Sequence, residues 1–333
     1  MAQGKEPRMN VESYPEKKLA ARLVSKKKLA PPIDIFSLAK QYANVDSMLI
    51  PFDVDGICLH LKVPKMTPHI IVNNCYPSQR MRFTLAHELG HVIIPWHIGS
   101  IIDITTIPEE NKFDEYWYLE AEANRFASEL LMPSAWVKAI IESHSDDMGK
   151  ITKQIVREAE VSPIAATIKI KDTLDCGYIF AALRNNEVLF SGRSEETLAN
   201  PPKWGEKILP EEVFPFCKNR HQFMINGVNY YWWVLDKSVS IPKSAELADW
   251  RELLKEIISE IGIPTSGQKK FIQSLNGVIA NANGSVRDGN RTQESLYSAI
   301  LQRIHGKTEL KKFANHHKFD SFIYSKIKSF LNC

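Results

Sequence analysis

Arg82-Phe83-Thr84-Leu85-Ala86-His87-Glu88-Leu89-Gly90-His91 sets two histidines four positions apart, with a glutamate directly after the first. In a helix such positions stand one turn above each other on one face, so both imidazoles can direct a nitrogen at a single point. That arrangement suits Zn2+, a borderline-soft ion with no d-electron preference of geometry. Glu88 lies beside this face, within reach of a water at the metal without being a ligand itself. Gly90 keeps the helix surface low, so that another element can approach, at a cost of about 1 kcal/mol of helix stability relative to alanine. The spacing of apolar residues predicts a helix over Gln79 to Ile94, closed by Pro95.

A catalytic zinc needs a third protein ligand and one open position. A second helix is predicted over Glu115 to Leu131, closed by Met132-Pro133, and it carries the acidic cluster Leu119-Glu120-Ala121-Glu122-Ala123-Asn124-Arg125-Phe126-Ala127. Glu120 and Asn124 are four apart, so one face offers a carboxylate ligand with an amide one turn below it. An amide so placed can orient a ligand histidine through its second ring nitrogen. Phe126, Leu130 and Leu131 are expected to pack this helix against the first.

Outward from these two helices the chain alternates short strands with helices. Ser47 to Val63 and His69 to Asn73 predict strands of a small sheet. Pro15 to Ala30 predicts a basic amphipathic helix stopped by Pro31-Pro32, its lysines forming a solvated face rather than a nucleic-acid contact. Another helix is expected over Ile33 to Tyr42, and more over Ser134 to Ser143, Ile151 to Ala159 and Pro163 to Leu174. The last two superficially resemble a helix-turn-helix, but Lys169 and Lys171 are poor equipment for reading base edges, and a packing element is the better reading. Gly177 to Ser191 reads as a hairpin turning at Asn185-Asn186. His221 to Leu235 is strand-like, and its Tyr230-Tyr231-Trp232-Trp233 is expected to fill a sheet core. Ser244 to Ile261 reads as a helix, Asn276 to Asn290 as a mobile loop and Gln293 to Leu331 as helical. The Lys, His and Phe mixture from Lys307 to Lys328 fits an amphipathic pair with an aromatic core better than a grip on single strands.

The fold class expected is therefore α+β, a mostly helical domain with a small β-sheet followed by a mixed α/β C-terminal domain. Pro201-Pro202 is the best linker, giving a basic extension over 1–30, a metal domain over 31–200 and a C-terminal domain over 203–333. A length of 333 residues is ample for two domains, and 44% hydrophobic with 24% charged residues is ordinary for a globular protein. The formal net charge of +3 is too small to announce a nucleic-acid partner. Five scattered cysteines with no Cys-x-x-Cys pair argue against a disulfide framework or a thiolate zinc knuckle and favour a reducing, cytoplasmic setting. Met1 to Met9 holds no apolar leader core, and no stretch is long enough for a membrane span.

Two long motifs carry a resemblance: Arg82 to His91, and Glu120-Ala121-Glu122-Ala123-Asn124-Arg125-Phe126-Ala127-Ser128-Glu129-Leu130-Leu131-Met132-Pro133. In this order and spacing they resemble the hallmarks of the ImmA/IrrE family of zinc metallopeptidases, over about Pro31 to Asp175. The resemblance implies a zincin-like peptidase domain with His87 and His91 as zinc ligands, Glu88 as general base and a glutamate of the second helix as third ligand. Glu120 and Glu122 compete for that place. Glu120 is favoured, because peptidases of this glutamate-ligand type put a polar residue four positions on, where Asn124 stands. Tyr116, Tyr118 and His97 are candidate donors to an oxyanion. Cys75 could occupy the open zinc position and hold the enzyme latent, though a plain loop cysteine is the simpler reading. The family further implies regulated, site-specific cleavage of a helix-turn-helix transcriptional repressor, in a stress response or phage defence. The region after Pro202 would then house a sensor for a nucleic-acid or small-molecule activating ligand. The alternative is a non-catalytic zinc module acting by protein or nucleic-acid association; only the enzyme requires Glu88.

Overall fold

The computed structural model describes residues 14–51, 53–104, 114–145, 147–214, 217–236, 239, 241–286, 291–305 and 307–331. It divides the chain into two compact units, Met1–Ile170 and Lys171–Cys333.

In the first unit, β1 (Asn44–Met48), β2 (Val54–Leu61), β3 (His69–Asn73) and β4 (Gly99–Ile104) form one sheet in the order β1-β3-β2-β4. β1 runs parallel to β3, and the other pairs are antiparallel. Along β2 the residues alternate in burial from Val54 through Gly56 to Cys58, the period of a strand with one covered face. That face receives α3 (Ser78–Ile93), which carries the two motif histidines and packs on β2 and β3. Helix α4 (Asp114–Leu131) lies along α3, with Ala123, Phe126, Ala127, Leu130 and Leu131 buried. At Gly90 an added Cβ would stand 3.1 Å from the Phe126 ring, so the small residue permits this helix contact.

The basic N-terminal helix α1 (Pro15–Lys27) is part of this unit rather than an appendage. Its inner face buries Ala20 and Leu23 and sends Glu16, 1% exposed, onto Arg125 of α4 at 2.5 Å. The Arg125 guanidinium also lies over the Tyr14 ring. Removing one partner of so buried a pair strands the other charge, so the pair fixes α1 in place more than it adds stability. The short α2 (Ile35–Ala39), capped by the Asp34 carboxylate on the Ser37 amide, ends earlier than the Ile33 to Tyr42 pattern suggests.

Three helices complete the unit: α5 (Ser134–Ser143), α6 (Met148–Ala159) and α7 (Pro163–Thr173), which runs across the division between the units. The Lys169 ammonium is buried against Glu129 at 2.5 Å and Ser134 at 2.9 Å, while Glu129 also accepts the Ser134 amide that begins α5. Lys169 is therefore a packing residue and no reader of bases.

In the second unit, β5 (Tyr178–Arg184), β6 (Glu187–Arg193), β7 (Asn219–Ile225) and β8 (Val228–Val234) form an antiparallel sheet ordered β6-β5-β8-β7. Asn185 and Asn186 both take positive φ, 51° and 62°, which is what a two-residue hairpin turn demands. Tyr231 and Trp233 are core, packed with Ile179, Leu183 and Phe214. A helical layer follows: α8 (Trp250–Glu260), α9 (Thr265–Ser285), α10 (Gln293–His305), α11 (Lys311–Ala314) and α12 (Phe319–Leu331). Phe313, Phe319 and Phe322 meet edge-to-face in its core, with ring centroids 5.3 to 5.8 Å apart.

The architecture is α+β, but its division differs from the expected 1–30, 31–200 and 203–333. β5 and β6 precede Pro201-Pro202, yet β5 pairs with β8 beyond it, so a boundary there would split one sheet. The expected loop over Asn276 to Asn290 is largely helix α9, because Leu275, Val278, Ile279 and Ala282 bury one side of it. Burial there overrides the weak helix propensity of Gly277, Asn281 and Gly284. Helix α8 begins at Trp250 rather than Ser244, where Asp249 caps the Arg251 amide. Residues 1–9 and 287–290, on which the leader expectation and part of the loop expectation fall, lie outside the described residues. No described helix is long and apolar enough to cross a membrane.

Candidate metal centre

On α3, His87, Glu88 and His91 are all buried, at 2% exposure or less, and face the sheet and α4 rather than solvent. Nε2 of His87 and Nε2 of His91 are 3.0 Å apart. Glu120, from the facing turn of α4, brings Oε2 to 3.0 Å from the His87 Nε2 and Oε1 to 3.6 Å from the His91 Nε2. All three donor atoms lie within 4.8 Å of one another.

The outer nitrogens decide what these atoms offer. His87 Nδ1 lies 3.0 Å from Asn124 Oδ1, an oxygen that can only accept, so Nδ1 carries the proton and Nε2 is a bare lone pair. The Glu122 carboxylate accepts from Trp96 Nε1 at 2.6 Å and from His97 Nε2 at 2.9 Å. With its proton on Nε2, His97 presents a lone pair at Nδ1, and His91 Nδ1 donates to it across 2.7 Å. The relay Glu122–His97–His91 thus leaves the His91 Nε2 bare as well. Burial, with His87 and His97 beside it, holds the His91 pKa well below its ordinary value, and burial also lowers that of His97. Burial thus favours the neutral His91 ring, the form in which imidazole is a ligand.

Two lone pairs and a carboxylate so close together repel one another unless a cation sits among them. The buried Glu120 Oε1 has no hydrogen-bond partner. A tetrahedral ion with bonds near 2.0–2.1 Å sets its ligands about 3.3 Å apart, and the separations of 3.0, 3.0 and 3.6 Å bracket that value. The donor set fits a divalent metal, held by His87, His91 and Glu120.

Glu88 points from the same helix to β2. A Cβ at Gly56 would collide with the Glu88 Oε1 and lie 2.9 Å from the Thr84 methyl, so this carboxylate takes its place only because position 56 has no side chain. Lys62 closes the end of α3 by donating to the carbonyls of His91 at 2.7 Å and Val92 at 2.8 Å, and burial brings its pKa down to about 8.

Several candidates stand elsewhere than the sequence pattern suggests. Glu122 turns away from the trio to hold Trp96 and His97, which a rival ligand cannot do while bonded to them. His97, a candidate oxyanion donor, is buried with both ring nitrogens engaged. Tyr118 is exposed. Cys75 is exposed and outside the cluster. The role of His97 has a weak signal in sequence, since it falls beyond Pro95 and outside the helical period; Gly56 has none.

Comparison with known proteins bears on the first unit. Residues 22–171 match the family described as the IrrE N-terminal-like domain. Over 112 residues the chain is 28% identical to the radiation response metalloprotease IrrE of Deinococcus radiodurans, a stretch that is 34% of this chain and 33% of that protein. The chain thus spans about a third of the length of that relative. A solved structure, a Mycobacterium tuberculosis transcriptional regulator, aligns over 67% of this chain and 87% of its own, with 13% identity and a TM-score of 0.41. The segment 22–171, which contains both long motifs and the trio of His87, His91 and Glu120, thus matches the ImmA/IrrE family.

Proposed function

We propose that the first unit is a zincin-like zinc endopeptidase. The observation that carries this reading is the convergence of His87, His91 and Glu120, whose donor atoms lie within 4.8 Å of one another. Zinc held there would act as a Lewis acid on a substrate carbonyl and acidify an attacking water. Glu88 would take a proton from the attacking water and return it to the departing amine, a service worth about 100- to 10,000-fold in rate. Asn124 holds the His87 ring, and the His97–Glu122 pair holds that of His91, so the ligands need no reorganisation as metal enters.

The substrate we propose is a helix-turn-helix transcriptional repressor, cut at a defined site in a regulated stress or defence response inside the cell. Support comes from the match of residues 22–171 to the IrrE N-terminal-like domain. The test mixes the purified chain with a repressor encoded beside it, with and without a chelator. Cleavage abolished by chelation and restored by zinc is expected. Glu88→Gln should bind zinc one-to-one by elemental analysis yet cut at least about 100-fold more slowly. Wild-type cleavage by that variant would overturn the assignment of the base.

A further inference from the structure

Among the described residues of the second unit, two arginines have no acidic partner. Arg303 of α10 is only 4% exposed. Its Nε donates to Asn281 Oδ1 at 3.1 Å, Nη1 to the Ala299 carbonyl at 3.0 Å and Nη2 to the Ser285 hydroxyl at 2.9 Å. A guanidinium has five N–H groups, so one on each terminal nitrogen remains. Arg193 of β6 uses Nη1 on the Ala199 carbonyl at 2.9 Å and the Asn200 side chain at 3.1 Å. Every one of these acceptors is neutral, and the two cations are close enough to disfavour each other's charge. Burial brings the Arg303 pKa down to about 10, with Arg193 adding to the effect. Charge buried without a counter-charge is costly, and an arginine fork is the side chain best shaped for a phosphate.

Arg303 forms part of the wall of a groove of about 700 Å³ between the Asn200–Glu206 segment and α9 and α10. Two lysines, Lys203 and Lys307, line the same groove. Its acids are engaged: Glu206 accepts the Lys203 amide at 2.8 Å, and Glu309 faces the Lys307 ammonium at 3.6 Å. On the rim stands Trp204, 83% exposed. A flat indole held open to water at the mouth of a basic groove offers a stacking surface for a heterocyclic base. The volume is far more than a lone phosphate fills and within the range of small-ligand sites.

We infer that this groove is a nucleotide site, taking a phosphate at Arg303 and Lys203 and stacking a base on Trp204. The nucleotide is either free or one unit of a single strand, since both present the same phosphate and ring. The groove lies within the second unit and the metal centre within the first.

The test is isothermal titration of the full chain with adenosine monophosphate, an eight-residue oligothymidylate and inorganic phosphate. Saturable binding of the monophosphate or the oligonucleotide is expected, weakening steeply with salt. Tighter binding of the oligonucleotide assigns the strand, and equal or weaker binding assigns the free nucleotide. Trp204→Ala, at an exposed position, should weaken the nucleotide roughly tenfold and leave phosphate unchanged. Lys203→Gln, at an exposed position in the groove wall, should weaken nucleotide binding severalfold while the thermal midpoint without ligand stays level. Glu88→Gln should bind nucleotide as the unsubstituted chain does, so that failure of the peptidase reading leaves this result standing. No saturable binding of either nucleotide, phosphate binding as tight as the monophosphate, or unchanged affinity in both Trp204→Ala and Lys203→Gln overturns the inference.

Discussion

At the scale of single residues, the metal centre is a matter of where protons sit. Asn124 and the His97–Glu122 pair each keep a proton on an outer ring nitrogen, and so present a bare inner one. His97→Ala would strand the His91 Nδ1–H in a dry interior, and zinc affinity should fall about 10- to 100-fold in competition with a chromophoric chelator. Asn124→Ala should cost a similar factor through the other histidine. Affinity unchanged in both variants would mean that the rings are held by packing alone. The trio and its amide were legible in sequence because positions four apart share a helix face whatever the tertiary setting. The relay was not, because Trp96 and His97 follow the helix end and reach Glu122 only through the packing of α3 on α4. Glu120 is set apart from Glu122 in sequence by Asn124 four positions on, and in the fold a step of two residues turns Glu122 to another side of the helix, onto Trp96 and His97.

Among the elements, helices were easier to foresee than their ends. α5 runs as its pattern suggests, between Pro133 and the last apolar turn, since proline and apolar period act locally. α9 was misread as a loop because Gly277, Asn281 and Gly284 weaken helix propensity, while the apolar side that rescues it matters only once α10 covers it. The junction of α4, α5 and α7 gives a test of packing. Lys169→Met leaves the Glu129 carboxylate buried without its cation and should destabilise the first unit by about 3–5 kcal/mol in urea unfolding. Glu129→Leu combined with Lys169→Met should recover much of that loss, since no charge then remains to be solvated. A double variant as unstable as the single one would show that shape, rather than charge, holds the junction. On α6, Asp147→Ala removes the carboxylate that accepts the Lys150 amide and should cost about 1 kcal/mol.

For the whole molecule, two units with separate cores should respond separately to metal. A ligand present at one hundred times its dissociation constant adds about 2.7 kcal/mol to the form that binds it. Stripping metal with a chelator should therefore lower one calorimetric transition, that of residues 1–170, and leave the other in place; equal movement of both would contradict a centre confined to the first unit. The division between the units escaped the sequence because Pro201-Pro202 looks like a linker, and only long-range pairing of β5 with β8 shows that it is a loop within a sheet. A different consequence follows from Gly56, whose bare α-carbon makes room for Glu88. One methyl group added there would displace the base and leave the ion's anchors untouched. Gly56→Ala should thus clasp its target without severing it, a snare by which an unknown partner can be drawn out whole.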